Sequence, residues 1–332
     1  MSKVTTAPPQ DDPASFQLRF RGAKVREHPF AGRIGGNQEF CLDPDDEAVK
    51  QQPDAAPIIS ISRSLDPSGF LVFEYYKMGL IEGLGTCLLV FVSGAGANAL
   101  TTLGDSVSPM AIALYAALFN WISLTLFVYT TAPASGGHLN PSITMGTFFA
   151  GLSSLPRSLI YVVSQSVGAI VGGYWLRLGL GKNGYFPSGV IPGCTVDEQL
   201  VSRGQLFVLE YVFALAQLFL AFGVGLEPRN AKTYGPAFAP VLVGLTLGLG
   251  TLASSFVKEG YSGISFNSAR CLGLMTAKGN LQYNYLHWIA TLSACMVHGV
   301  FYHTVPPYKK SSGKARREAL PCVEHHAGSQ KH

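Results

Sequence analysis

Ser135–Thr144 reads SGGHLNPSIT, and Ser262–Cys271 reads SGISFNSARC. Each phrase opens on Ser-Gly and, a few residues on, sets an Asn before two small residues. Asn is a preferred helix N-cap, because its side-chain oxygen accepts a backbone N–H that the first turn leaves unsatisfied. Asn140-Pro141-Ser142 adds a proline at the first helical position, where its missing N–H costs nothing. Asn267-Ser268-Ala269 keeps the cap and has serine in the proline's place. Both phrases therefore start helices, NPSITMGTFFAGL and NSARCLGLMTA. At about 12 residues each, they extend roughly 18 Å, against a bilayer core of about 30 Å. They are predicted half-helices.

The sequence around them is that of a membrane protein. Hydrophobic residues make up 48% of the chain and charged ones 13%. The charges crowd the first seventy residues and the last twenty-five, whereas a soluble surface would spread them. The net charge of +4 reflects these basic ends, so no nucleic-acid partner is expected. Six apolar segments have the length that a crossing needs: about 78–99, 109–131, 159–180, 205–226, 240–257 and 283–305. The start, MSKVTTAPPQDDPASFQ, lacks an apolar signal-peptide core, so the first span is expected to direct insertion.

Basic residues lie in the N-terminal tail, in EPRNAKTYGP with Arg229 and Lys232, and in PYKKSSGKARRE, while LTTLGDSVSP has neither Lys nor Arg. The positive-inside rule then puts both termini in the cytoplasm, although Lys182 and Lys278 fall on the outer side. A plasma-membrane location is expected ahead of an internal one. Residues 1–70, rich in Pro, Asp and Arg, are predicted to be a flexible tail, 71–306 the membrane domain, and 307–332 a second basic tail. The six cysteines include no CxxC pair, so neither a disulfide framework nor a zinc site is expected.

The repetition extends beyond the two phrases. Glu82 lies 58 positions before Asn140, and Glu210 lies 57 before Asn267, each early in the first span of a three-span half. Halves of three spans, about 78–181 and 204–305, enter the bilayer from opposite sides, which makes an inverted repeat. The two half-helices then meet tip to tip at the midplane, their positive N-terminal ends facing one another. With each carbonyl capping its own helix, the amides of Asn140 and Asn267 are free to aim N–H donors into a lumen. The predicted fold is all-α: six transmembrane helices and two half-helices.

These residues resemble the aquaporin, or major intrinsic protein, family, whose hallmark is two Asn-Pro-Ala boxes on half-helices meeting in a pore. SGGHLNPS resembles the first box and YSGISFNSAR the second with its following arginine. LIEGLGT and the Glu210 segment resemble the buried glutamates of the first and fourth spans. SQSVGA around Gln165 and HWIATLSA around His287-Trp288 resemble the third and sixth. The resemblance covers about Met78 to Val305. It implies a homotetramer with one pore per subunit, passing water or small neutral solutes without turnover chemistry, cofactor or metal. Ions and protons are repelled by the two helix dipoles and by Arg270.

In the family, an outer ring selects the permeant. Counting from the two Asn residues carries that ring onto Arg270, Ile264, Ser255 and Asn120, with Phe119 and Trp121 one position either side of the last. Water-selective members commonly have His at the Ser255 position and glycerol-passing members have aromatic faces; this chain has neither. The ring is thus expected to be polar and moderately wide, with water, hydrogen peroxide, ammonia, urea and glycerol all open. The sequence departs from the family's pattern at the second box. Ser268 replaces its Pro, Cys271 and Leu274 the Asp and Pro that follow, and Ser293-Ala294 the sixth span's Gly-Pro.

Plainer roles compete for the same residues. Glu82 and Glu210 suit accepting loop N–H groups better than relaying protons. His138 is more readily a loop-fixing residue than a pH gate, and Cys271 a packed residue rather than a thiol facing the pore. Gly168, Gly172 and Gly173 suit close helix crossing. Two other functions share the pattern. A secondary transporter also uses inverted repeats and broken helices, but six spans and no midplane coupling carboxylate speak against it. A non-conducting scaffold would keep the fold and lose the flux. Long N-terminal tails can also plug the cytoplasmic mouth.

Overall fold

A computed structural model describes residues 29–36, 41–42, 46–56, 59–103, 107–184 and 194–305. The second basic tail, Cys322 and the first 28 residues lie outside that set. Among the described residues, eight helices of nine or more residues build the membrane domain: α1 Phe73–Leu103, α2 Pro109–Ser135, α3 Pro141–Phe149, α4 Leu155–Gly184, α5 Arg203–Gly225, α6 Ala239–Ser254, α7 Ser268–Lys278 and α8 Asn284–Thr304, with a short helix, Pro228–Tyr234, between α5 and α6. Their ends follow local rules. Ser108 caps α2 ahead of Pro109, and Ser202 forms a capping box with Gln205 on α5. Gly136 and Gly279 close α2 and α7 in the left-handed conformation. The short helices α3 and α7 have 9 and 11 residues.

Polarity is inverted relative to a soluble protein. Leu114, Leu118, Ile122 and Leu126 recur every fourth residue along the exposed face of α2, and Leu80, Leu84 and Leu88 do the same on α1. The buried side carries Glu82, Gln165, Glu210 and Gln217. Such an arrangement is stable only where hydrocarbon surrounds the bundle. Five of the long helices are apolar enough to cross a membrane. The sixth, α8, turns Asn284, His287, Thr291 and His298 inward and is correspondingly less apolar.

The packing repeats with twofold symmetry. In one half α1 packs on α2 and α4, in the other α5 packs on α6 and α8, and α2 meets α6 across the seam. Each half-helix lies against the last span of the opposite half, α7 on α4 and α3 on α8. This exchange locks the halves together. Backbones approach closely at the predicted glycines: a Cβ on Gly168 would sit 2.0 Å from the Gly83 carbonyl oxygen, and one on Gly173 2.4 Å from that of Gly273.

Two expectations need correction. The N-terminal segment is not loose throughout: Phe30, Ala31 and Ile34 are buried, and the Ile34 and Gly35 N–H groups donate to the Gly136 and Gly225 carbonyls. A buried ion pair, Asp54–Arg157, holds the same segment, and its two partners are 103 positions apart, beyond the reach of a local reading. Cysteine pairing was also missed. Cys194 and Cys271 form a disulfide across 77 positions, with Cα atoms 5.4 Å apart.

Candidate functional site: a lumen between two half-helices

The two phrases build mirrored loops. Leu139 and Phe266, each just before its Asn, both adopt positive φ, at 51° and 46°. That conformation is uncommon for non-glycine residues and persists only where the surroundings hold it. Here a buried glutamate holds each loop. Glu82 accepts the N–H groups of His138 at 3.0 Å and Leu139 at 2.5 Å, the Ser135 hydroxyl at 2.6 Å and the Gln165 amide at 2.9 Å. Glu210 accepts the Ser265 N–H at 3.2 Å, the Ser265 hydroxyl, and the Tyr261 hydroxyl at 2.9 Å.

Asn140 Oδ1 accepts the Ser142 N–H at 2.8 Å, and Asn267 Oδ1 accepts that of Arg270 at 3.1 Å. Across the junction, Asn267 Nδ2 donates to the Leu139 carbonyl at 2.9 Å, and the Ser142 hydroxyl donates to the Phe266 carbonyl at 2.6 Å. The half-helices therefore meet tip to tip. One of the two Asn267 N–H donors is taken by protein, which leaves the other.

Both asparagines line one cavity of about 520 Å³, as do Asn120, Ser255, Ile264 and Arg270. All four ring positions therefore face a shared space. Asn120 donates to Thr251 Oγ1 at 3.0 Å, and the Ser255 hydroxyl donates to the Thr251 carbonyl at 2.8 Å. Thr251, one helical turn before Ser255, also lines the cavity and was not singled out from the sequence. Trp121 turns away, its indole N–H donating to the Val241 carbonyl at 3.0 Å, whereas Phe119 lies at the cavity wall. Ile264 is set by its N–H to Ser254 Oγ at 2.9 Å.

At the end nearest the N-terminal segment, the cavity is walled by Ile34, Val243 and Ala221, with His138 beside them. His138 Nε2 lies 2.9 Å from the Gly32 carbonyl oxygen and Nδ1 lies 3.2 Å from Thr144 Oγ1, so both ring nitrogens are engaged.

Major intrinsic protein is the family whose model matches, over residues 71–302. The chain belongs to that family. It is 26% identical to aquaporin PIP1-1 of Musa acuminata over 282 residues, covering 82% of this chain and 94% of the relative. Aquaporin PIP 1-3 of Oryza sativa subsp. japonica is 28% identical over 265 residues, covering 77% and 87%. Aquaporin TIP1-2 of Zea mays is 25% identical over 230 residues, covering 69% and 85%. The fold is similar to the X-ray structure of the aquaglyceroporin from Plasmodium falciparum, with a TM-score of 0.54 and 22% identity over 70% of this chain and 96% of that one. Major intrinsic proteins are channels for water and small solutes and not enzymes, and this chain is such a channel.

The altered boxes of this major intrinsic protein have a physical account. Ser268, in the place of the second proline, sits 2.9 Å from Thr291 Oγ1 and 3.3 Å from the His287 carbonyl oxygen, so it ties α7 to α8. Ser142 bridges the two half-helices, as described above. Both serines face protein neighbours and change the lumen wall little. Cys271 is buried within the disulfide and does not line the cavity, which removes the reading of a free thiol in the pore.

Proposed function

We propose that this chain is a passive pore for water and small uncharged solutes, with glycerol, hydrogen peroxide, urea and ammonia as candidates beside water. The carrying observation is that Asn140, Asn267 and the four ring residues line a single cavity. A permeant meets amide donors at the middle and a ring with three polar sides and one apolar side, Ile264. A cation would shed its hydration against two helix N-termini and Arg270, which favours neutral cargo. Glu82 and Glu210 serve as braces for the loops and not as proton relays, since their oxygens are occupied by loop donors.

The termini face the cytoplasm in this reading. Positive-inside charge supports it, and so does the disulfide on the opposite side of the bundle, because disulfides persist in oxidising compartments. A homotetramer in the plasma membrane fits the family resemblance. Phe30–Gly36 narrows the cytoplasmic mouth in this reading, which rests on Ile34 standing in the cavity wall with its N–H bonded to the Gly136 carbonyl. Stopped-flow light scattering on reconstituted vesicles tests the proposal, comparing water with glycerol and urea and adding a peroxide dye. Flux of any neutral solute above protein-free vesicles is expected, with no ion conductance. Solute flux that saturates and needs an ion gradient would overturn it in favour of a transporter.

A further inference from the structure

The Cys194–Cys271 disulfide has a location that conduction alone does not call for. Cys271 follows Arg270 in the first turn of α7, with its sulfur turned away from the cavity. Cys194 belongs to the connection between α4 and α5, and its sulfur lies 3.6 Å from Arg270 Nη1. The Cys194 carbonyl oxygen is 3.3 Å from His287 Nε2 on α8. A few residues on, Val196 forms an antiparallel bridge with Tyr261, and the Asp197 N–H donates to the Gly260 carbonyl at 2.8 Å. Tyr261 itself lines the cavity and donates to Glu210. The strip of chain from Cys194 to Asp197 is thus fastened at one end by the disulfide beside the ring arginine and at the other by the loop that carries Ile264.

We infer that this disulfide is a specificity-determining clamp, a pair of positioning residues that hold the connection against Arg270 and so fix the guanidinium in the constriction. The inference rests on the channel reading above. A guanidinium on a flexible stem holds one rotamer only when its neighbours do. With the sulfur bridge intact, Arg270 has a covalently tethered wall on the side away from the lumen. Opening the bridge frees that wall to retreat, the guanidinium follows, and the ring passes solutes larger than water more readily. A small dithiol opens it in two steps. A thiolate attacks one sulfur to give a mixed disulfide, and the second thiol closes a cyclic disulfide. The dithiol is oxidised by two electrons and two protein thiols are released.

The test uses the full chain in proteoliposomes, oxidised or treated with dithiothreitol, beside the Cys194→Ser/Cys271→Ser variant. Water and glycerol permeabilities are measured by stopped flow, and thiol content by maleimide mass shift. The expected result is a rise of about tenfold in the glycerol-to-water ratio, the size of effect that a small change of fit produces in a selective site. It should occur in reduced wild type and in the variant, and the variant should not respond further to dithiol. A staple that merely stabilises the fold would lower both permeabilities in proportion and leave the ratio fixed; that result overturns the inference. An unchanged ratio with both thiols labelled does the same. Absence of any flux in the oxidised wild type would instead fail the channel reading, and the clamp with it, so the two failures are distinguishable.

Discussion

Replacing Asp54 by asparagine removes the charge facing Arg157 while keeping the side chain's shape. Arg157 is wholly buried, its Nε 2.8 Å from Asp54 Oδ2 and its Nη2 2.9 Å from Oδ1. The guanidinium is also sandwiched between the rings of Phe30, at 4.1 Å, and Tyr75, at 4.3 Å. Removing one partner of a buried pair costs about 3–5 kcal/mol, because the other charge is left without compensation. In this protein the charge has an escape, since undocking of the N-terminal segment returns Arg157 to water. The Ala31 N–H donates to the Asp54 carbonyl at 2.8 Å, so release at Asp54 is felt where Ile34 meets the lumen. Burial of Phe30 and Ile34 contributes about 1.5–3 kcal/mol each, against about 1–2 kcal/mol per residue of backbone ordering. The docking margin is therefore narrow, and a loss of about 3 kcal/mol shifts it roughly a hundredfold towards release. Limited trypsin digestion reads release as faster cleavage after Arg33 and Lys50, and stopped flow reads it as higher water permeability. The double replacement Asp54→Leu/Arg157→Met, which leaves no charge to bury, should restore slow cleavage. Folded Asp54→Asn protein with wild-type cleavage and flux would refute the reasoning.

Three further outcomes follow from the same geometry. Arg270→Ala should enlarge permeability to glycerol and urea relative to water by about tenfold, and an unaltered solute ranking in stopped flow would remove its assigned role. Burial alone would raise the Asp54 pKa, but the Arg157 charge and the hydrogen bonds from Arg157 and Ser154 outweigh it and hold the carboxyl below its ordinary 3.8. A depressed carboxyl contributes stability above its unfolded pKa and loses it as pH falls through the folded one. Trypsin protection of the N-terminal segment should therefore be flat from pH 8 to about 5, near which a normal carboxylate would only begin to protonate; loss of protection between pH 7 and 5 would assign the anchor to another group. Gly168→Val should yield little folded protein in a detergent thermal-melt assay, because even a Cβ would lie 2.0 Å from the Gly83 carbonyl oxygen. A wild-type melting temperature would show that the two helices can part cheaply.

The half-helices, the caps, the inverted repeat and the buried glutamates were legible in the residues. Each is written within a few turns of chain: an Asn before a helix, a Pro at its first position, an apolar run of fixed length. The ring positions Asn120, Ser255, Ile264 and Arg270 came from the resemblance to the family and not from the residues alone; all four line one cavity. Thr251 escaped because a threonine in an apolar helix carries no mark of the side it faces. Tertiary structure alone decided the rest. The disulfide joins residues 77 positions apart, the Asp54–Arg157 pair 103, and Ser142 meets the Phe266 carbonyl across 124. No local rule connects such partners. Ser142 and Cys271 find their partners because the half-helices are buried between the two halves, and Asp54 finds Arg157 because the N-terminal segment docks against the start of α4.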